Sequence, residues 1–574
     1  MDPMLEWLAD AGETYINVYL GFLRYCAPIL AAVLLCRCLK PLVTFKREPE
    51  IWAWLDMADG SKHALTHWEN VVGRSKSSDV RLDYPSVSRN HAVFTRYDDG
   101  SWTVTDADSK GGVFVNGAPV QICALEPDDV INIGGMDMML TPISHKQEQL
   151  QAQFRAKAGT GFDSVANLLL LTILQCLICL GFLLGGNENY FDSILQGFAG
   201  IVLTQWVLLI FYGIIRRTSF ELETVAFFLC TLGMAVIAAV KPAETVKQLL
   251  AMMLGVLVYL IVGWSLRDLE RAKKFRYLAV ILGVGFLVIT LLFGKEEHGA
   301  KAWLVFGNLT LQPSELSKVC FVYAGASTMD RLMKKRNIFL FIVYSVIICG
   351  CLALMNDFGT ALIFFAAFLI IAYMRSGSVG TIALACTSLG FAGVIAIKIA
   401  PHALRRFMIW RHIWEDPYNL GYQQTRAIMC LASGGLFGLG AGRGLMKNVF
   451  ASDSDVIFAS VAEEWGLIMA VLTVVSILAL GFFAIRSASM SRSSFYAIGG
   501  CTAAAIMLTQ VILNCLGTLD ILPLTGVTFP FLSNGGSSMI GAWGLLSFLK
   551  AADTRQNASF AVRLVKKRRF EEDE

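Results

Sequence analysis

The strongest constraint on this chain is a succession of apolar runs, each long enough to cross a bilayer. A hydrocarbon core about 30 Å thick takes roughly 20 residues of helix. About twelve such runs follow residue 160, near 162–184, 193–215, 220–240, 246–265, 276–293, 311–327, 338–355, 358–374, 379–399, 456–484, 494–516 and 528–550. One more, Tyr15 to Cys36, lies near the start; it lacks an Ala-x-Ala-like cleavage site and reads as a retained helix, with Arg24 in its middle. The expected fold is a polytopic α-helical membrane protein of about 13 transmembrane helices. With 55% hydrophobic and 16% charged residues, the composition excludes an ordinary soluble protein.

Basic clusters at Arg216/Arg217, Arg267 to Arg276, Lys334 to Arg336, Arg375, Arg486/Arg492 and Lys566 to Arg569 alternate with loops poor in Lys and Arg. They fall on one side of the expected helix order, and that side is the cytoplasm. The short N-terminus is then outside. The net charge of +3 resides largely in these clusters, so it marks topology and gives no case for nucleic acid. Most of the 14 cysteines lie inside apolar runs (Cys176, Cys179, Cys230, Cys349, Cys351), where Cys acts as a small hydrophobe. Neither disulfides nor metal sites are expected from them.

Between residues 46 and 148 the pattern changes to short strands such as "HAVFTRY", "SWTVTD" and "GVFVNG", separated by turn signals. The chain therefore divides into an N-terminal transmembrane helix (1–45), an inserted cytoplasmic β-sandwich (46–148) and a linker (149–161). An extra helix pair (162–217), a helical core (218–552) and a charged cytoplasmic tail (553–574) follow. In the sandwich, Gly73-Arg74, then Ser88-Arg89-Asn90-His91, then Asp106 and "SKGGVFVNG" resemble a forkhead-associated (FHA) domain, a reader of phosphothreonine peptides. An Arg and a Ser hydroxyl can give charge-assisted hydrogen bonds to a phosphate dianion. The resemblance implies that Arg74, Ser88 and Arg89 hold phosphate, that His91 braces their loop, and that the partner is a phosphothreonine protein made by a Ser/Thr kinase. Gly111 departs from the pattern, which carries Asn there; a scaffold binding unphosphorylated surfaces is the other reading.

Six polar motifs interrupt the helical half: "HGAKAWLVFGNLTLQPSELSK" (298–318), "NDFGTA" (356–361), "WEDPYNLGYQQT" (414–425), "GGLFGLGAGRG" (434–444), "DSDVIFASVAEEWG" (453–466) and "LPLTGVTFPFLSNGGSS" (522–538). In this order they resemble the FtsW/RodA/SpoVE (SEDS) family of bacterial cell-wall synthases, over about residues 218–550. The resemblance implies a ten-helix core that polymerises lipid II into β-1,4 glycan strands at the outer membrane face, with a class B penicillin-binding protein as partner. It places the family's essential Asp, in the W-x-D-P motif, on Asp416.

The chemistry wants such a group. Lipid II carries its sugar on an α-linked diphosphate, and a β-1,4 link inverts the anomeric carbon. The step needs a base at the attacking hydroxyl and cationic or hydrogen-bonding groups at the departing diphosphate. Asp416 is the candidate base, with Trp414 and Pro417 expected to fix and desolvate it; Glu415 reads as a solvated neighbour. Lys301, Lys318, Arg405, Arg406 and Arg443 are candidates at the diphosphate. Glu315 and Lys318, three apart on one helix, are expected to form an intramembrane ion pair. Trp303 and Gln423 complete the substrate set by resemblance; Ser537, with Ser533, Asn534 and Ser538, either meets the substrate head group or permits close helix contact. Asp357 is either a helix cap or a substrate contact, and so is Asp455. Glu463 and Glu464 either line the substrate or pair with Arg443. Ala302, Arg426 and Asp520 depart from the family pattern, which has a basic residue, Gln and Gly there. No cofactor is required; a divalent cation (Mg or Mn) at the diphosphate is compatible, but no ligand cluster specifies one. A lipid II flippase and a non-catalytic division or elongation scaffold are the alternative functions.

Overall fold

The computed structural model describes residues 3–45, 50–75, 78–97, 100–144, 146–147, 150, 160–185, 188–297, 300–307, 309–330, 335–376, 379–399, 401–491, 493–555 and 558–559. Among these residues ten helices are long and apolar enough to cross a membrane. Three more, Ser314–Asp330, Val379–Ile399 and Gly536–Ala552, stand where spanning runs are expected. The last starts at Gly536, not near 528. Pro523, Pro530, left-handed Gly526 (φ 69°) and Phe531 (φ 63°) break the run, and the Ser533 hydroxyl takes the Phe529 N–H at 2.8 Å. Residues 522–535 thus form a folded-in loop. The expected linker, 149–161, lies almost wholly outside the described residues.

Beyond the two acids of its first turn, Glu221–Val240 is apolar on every side and buried along nearly its whole length, as a central helix should be. The helices at Pro3–Thr44, Gly161–Gly185 and Phe191–Ile214 pack against it together with Ile457–Ala488. Gln175 and Gln205, both fully buried, bond each other at 3.0 and 2.8 Å, and Gln175 also reaches Thr231 at 2.9 Å. Amide pairs of this kind bind helices that have no hydrophobic drive to associate in lipid.

The inserted domain is a β-sandwich with eleven strands among the described residues: β1 (Ala53–Met57), β2 (Lys62–Leu65), β3 (Glu69–Gly73), β4 (Val80–Arg81), β5 (Ala92–Arg96), β6 (Trp102–Asp106), β7 (Val113–Val115), β8 (Ala118–Val120), β9 (Ile122–Leu125), β10 (Val130–Ile133) and β11 (Met136–Pro142). One sheet runs β2-β1-β11-β10-β7-β8 and the other β4-β3-β5-β6-β9. Alternating residues such as Leu55, Phe94, Val104 and Ile131 fill a core separate from that of the helices.

This domain is seated on the helical half. His67 Nδ1 meets the Ser491 carbonyl at 2.7 Å, and the Ser494 hydroxyl donates to Glu69 Oε2 at 2.7 Å. Trp68 packs on both hydrophobic cores. These contacts hold the turn between Ile457–Ala488 and Ser494–Thr518. The other ends of that helix pair, at residues 456 and 519, therefore lie at the opposite end of the bundle.

Candidate functional site

Residues 401–455 are a structured segment, not an open loop. They form helices Pro401–Ile409 and Tyr422–Gly434 with a run of turns between. Asp416 is half-buried in those turns. Asn419 Nδ2 donates to its Oδ1 at 3.0 Å, and the Leu420 N–H donates to its Oδ2 at 3.3 Å. Each oxygen thus holds one donor and retains capacity for another. Its carbonyl accepts the Gly421 N–H at 3.0 Å, and a Cβ at Gly421 would collide with the Ile413 carbonyl. Trp414 does not desolvate the carboxylate as expected: it is 55% exposed, and Asn419 and Leu420 do the fixing. Glu415 is exposed and pairs with His412 Nδ1 at 2.8 Å.

The segment is tied to the chain beyond Ser494–Thr518. Trp410 Nε1 donates to the Ile521 carbonyl and Arg406 Nη1 to the Leu524 carbonyl, both at 3.2 Å. Asp455 takes the Ser454 hydroxyl at 3.0 Å. A Cβ built on Gly526 would lie 3.1 Å from Asp455 Oδ2 and 3.9 Å from Arg406 Nη1, so this acid and this cation meet at one glycine. Asp453, its neighbour, is 2% exposed. Lys241 Nζ lies 2.9 Å from its Oδ2, and Asn534 Nδ2 donates to the same oxygen at 2.6 Å and to Glu244 Oε2 at 3.0 Å.

A second group surrounds the start of Ser314–Asp330. Ser537 Oγ accepts the Gln312 N–H at 3.1 Å, and Gln312 Nε2 reaches Asp357 Oδ2 at 3.3 Å. Asp357 Oδ1 caps the next helix through the Thr360 N–H at 3.1 Å. Asp357 therefore caps with one oxygen and joins this cluster with the other. Lys318 Nζ and Glu315 Oε2 are 2.7 Å apart, with side chains 1% and 6% exposed. Gly541 closes over Glu315; a Cβ there would come within 2.9 Å of its carbonyl oxygen.

Other expected residues point elsewhere. Lys301 Nζ is spent on the Leu291 carbonyl at 2.7 Å. Trp303 pairs with Lys295 in a small three-stranded sheet of Lys295–Glu297, Ala300–Phe306 and Leu309–Leu311 that the apolar pattern does not predict. Gln423 Nε2 donates to the Phe450 carbonyl at 3.0 Å. Arg443 is exposed and donates to Asn17 on the first helix. Glu463 does not pair with it: its carboxylate takes the Leu445 and Met446 N–H groups at 2.9 and 2.8 Å, because the chain turns tightly at Gly444. Among the described residues no group of three or more His, Cys, Asp or Glu side chains converges as a metal site.

In the β-sandwich, Gly73 lets the end of β3 approach the Arg89 carbonyl closer than any Cβ would allow. That brings Arg74 and the 88–89 turn together, with the Arg74 N–H on the Ser88 carbonyl at 3.0 Å. Ser88 Oγ accepts the Lys110 N–H at 3.0 Å. His91 is fully buried; its Nδ1 accepts the Ser88 N–H and its Nε2 donates to the Gly112 carbonyl, both at 3.0 Å. It braces the loop as expected, and the partners fix the Nε2–H tautomer.

The model of the FtsW/RodA/SpoVE cell cycle proteins matches residues 201–558. The chain belongs to this family. The FHA domain model matches residues 70–134, so this family member also carries an FHA domain. It is similar to "Peptidoglycan glycosyltransferase RodA" of Mycobacterium tuberculosis, 27% identical over 324 residues, which cover 53% of this chain and 69% of that one. It is also similar to "Probable peptidoglycan glycosyltransferase FtsW" of Nitrosococcus halophilus, 31% identical over 307 residues, 51% of this chain and 78% of the relative. A solved chain from "Structural coordination of polymerization and crosslinking by a peptidoglycan synthase complex" aligns with TM-score 0.49 at 24% identity, covering 58% of this chain and 96% of that chain. An FHA domain from a study of phosphothreonine-dependent interactions aligns with TM-score 0.16 at 29% identity, covering 16% of this chain and 98% of that one.

Sequence reasoning missed a buried ionic cluster in this FtsW/RodA/SpoVE chain, at the end of the bundle that holds the FHA domain. Lys550 Nζ lies 3.2 Å from Glu223 Oε1, and the Tyr212 hydroxyl donates to the same oxygen at 2.6 Å. Arg555 meets Asp553 at 2.7 Å and Glu221 at 3.3 Å. The signal was present in "FELETVAFF", two acids opening an apolar run, where membrane acids call for partners.

Proposed function

We propose that this chain is a peptidoglycan glycosyltransferase that polymerises lipid II into β-1,4 glycan strands, with Asp416 as general base. The acceptor's 4-hydroxyl oxygen attacks the anomeric carbon of the donor sugar as its proton passes to Asp416. The bond from that carbon to the diphosphate breaks, and the lipid diphosphate departs with inversion. The observation that carries this reading is the Asp416 carboxylate, held by Asn419 and Leu420 yet half-exposed, within a segment joining two helices of a family core. A transporter has no need of a carboxylate fixed in that way. Arg406 and Lys318, each beside a carboxylate (Asp455 and Glu315), are the candidate cations for the diphosphate.

The basic clusters assign the FHA domain and the C-terminus to the cytoplasm and the Asp416 segment to the outer face. Arg74, Ser88 and Arg89 then read a phosphothreonine protein inside the cell, and a class B penicillin-binding protein cross-links the strand outside. The test is polymerisation of labelled lipid II by the purified chain with that partner, against Asp416→Ala. Glycan made by wild type and abolished in the variant is the expected result. Equal synthesis by both removes Asp416 as the base, and no synthesis by either favours the flippase or scaffold.

A further inference from the structure

The Asp416 turns are closed by a residue some hundred positions away in sequence. Asp520 follows Ser494–Thr518, and its Oδ1 accepts the Arg411 N–H at 3.1 Å. The same oxygen lies 3.5 Å from Gln424 Nε2, which also donates to the Gly517 carbonyl at 2.9 Å. Arg411 opens the turns that carry Asp416, and Gln424 begins the helix that ends them. One carboxylate oxygen thus joins both ends of the segment.

The backbone supports a built feature. Arg411 (φ 64°) and Asp520 (φ 57°) both adopt the left-handed conformation, which side chains other than Gly avoid. Such strain persists only where surrounding contacts impose it, and it clusters at functional sites. Gln424 is buried, and Ile413, between Arg411 and Asp416, is 1% exposed. A shift at Arg411 therefore cannot be absorbed by a floppy tether before it reaches Asp416.

We propose that Asp520 is a positioning residue for Asp416, clasping the two ends of its segment so that the carboxylate is pre-set against the acceptor hydroxyl. The inference rests on the base role given to Asp416 above. Geometry of this kind matters because a base displaced by about 1 Å loses much of its rate.

Asp520→Gly is the informative variant. It removes the acceptor while relieving the left-handed strain, and the Trp410 and Arg406 bonds to residues 521 and 524 keep the segment attached. Asp520→Asn keeps an acceptor oxygen and tolerates the same backbone. In lipid II polymerisation by the full chain with its partner, the Gly variant should lose about ten-fold in kcat with KM little changed, as expected for a hydrogen bond to a charged group. The Asn variant should recover most of that loss. Hydrogen–deuterium exchange across residues 411–424 should rise in the Gly variant and return in the Asn variant. Wild-type rate and exchange in Asp520→Gly overturn the proposal. Raised exchange with lost synthesis in Asp520→Gly, but full synthesis in Asp416→Ala, keeps the clasp and discards the base assignment it serves.

Discussion

The Glu315–Lys318 pair gives the sharpest quantitative prediction. Both side chains are nearly fully buried, the charges are 2.7 Å apart, and Lys318 Nζ has no other acceptor among the described residues. Neutralising one partner strands the other charge in an apolar setting, which costs about 3–5 kcal/mol. Glu315→Gln or Lys318→Met alone should therefore destabilise the protein by that amount. The double variant, with no buried charge left, should recover at least half of the loss, and the cycle should return a coupling of about 2 kcal/mol or more. Reversible unfolding in mixed micelles measures stability, and lipid II polymerisation measures function. If the pair serves the diphosphate, the double variant regains stability but not activity. Single variants within about 1 kcal/mol of wild type would refute the burial argument; an active double variant would reduce the pair to scaffolding.

Two further predictions concern the FHA domain. A Cβ on Gly111 would approach nothing closer than His91 Cε1 at 3.6 Å, so Gly111→Asn should fit and add a hydrogen bond to a bound peptide. Calorimetry with a phosphothreonine peptide should show roughly five-fold tighter binding, the worth of about 1 kcal/mol; unchanged affinity with and without phosphate would mean that the loop does not read phosphothreonine. Asp56 and Asp129 have carboxyls held below the usual range, the first by the Thr141 hydroxyl and Lys62, the second by the Glu126 N–H and the Asn116 amide. A lowered native pKa adds stability above the unfolded value of 3.8 that is lost as pH falls through the native one. The urea midpoint of residues 50–144 should therefore drop as pH falls below about 4, and the Asp56→Asn/Asp129→Asn double variant should flatten that drop.

The spanning helices were legible because lipid imposes one rule, an apolar run of fixed length, on each of them separately. The rule failed where local chemistry overrode composition. Residues 528–535 fall in an apolar run of spanning length, but Pro523 and Pro530, left-handed Gly526 and Phe531, and the Ser533 hydroxyl fold this stretch inward. The FHA loop was legible for a different reason. Gly73, Ser88 and His91 act through contacts confined to about forty residues, so their spacing carries their geometry.

The candidate site was legible only in its nearest-neighbour parts. Glu315 with Lys318 and Asp357 with Thr360 sit three residues apart on or beside a helix, where spacing decides contact. The turns around Asp416 instead depend on a pair such as Arg411–Asp520, 109 residues apart, and the neighbouring part of the site on Asp453–Asn534, 81 apart. No periodicity encodes which loops meet once helices of similar length are bundled. This is why the motif points to Trp414 for fixing Asp416 although the fold leaves Trp414 exposed. An aromatic two positions away is visible in a motif, whereas the donors that hold the carboxylate belong to a tight turn that Gly421 alone permits. Asp520 stood out in the sequence only as a departure from a pattern. Its role follows from the fold, which brings the end of one helix against both ends of a distant segment.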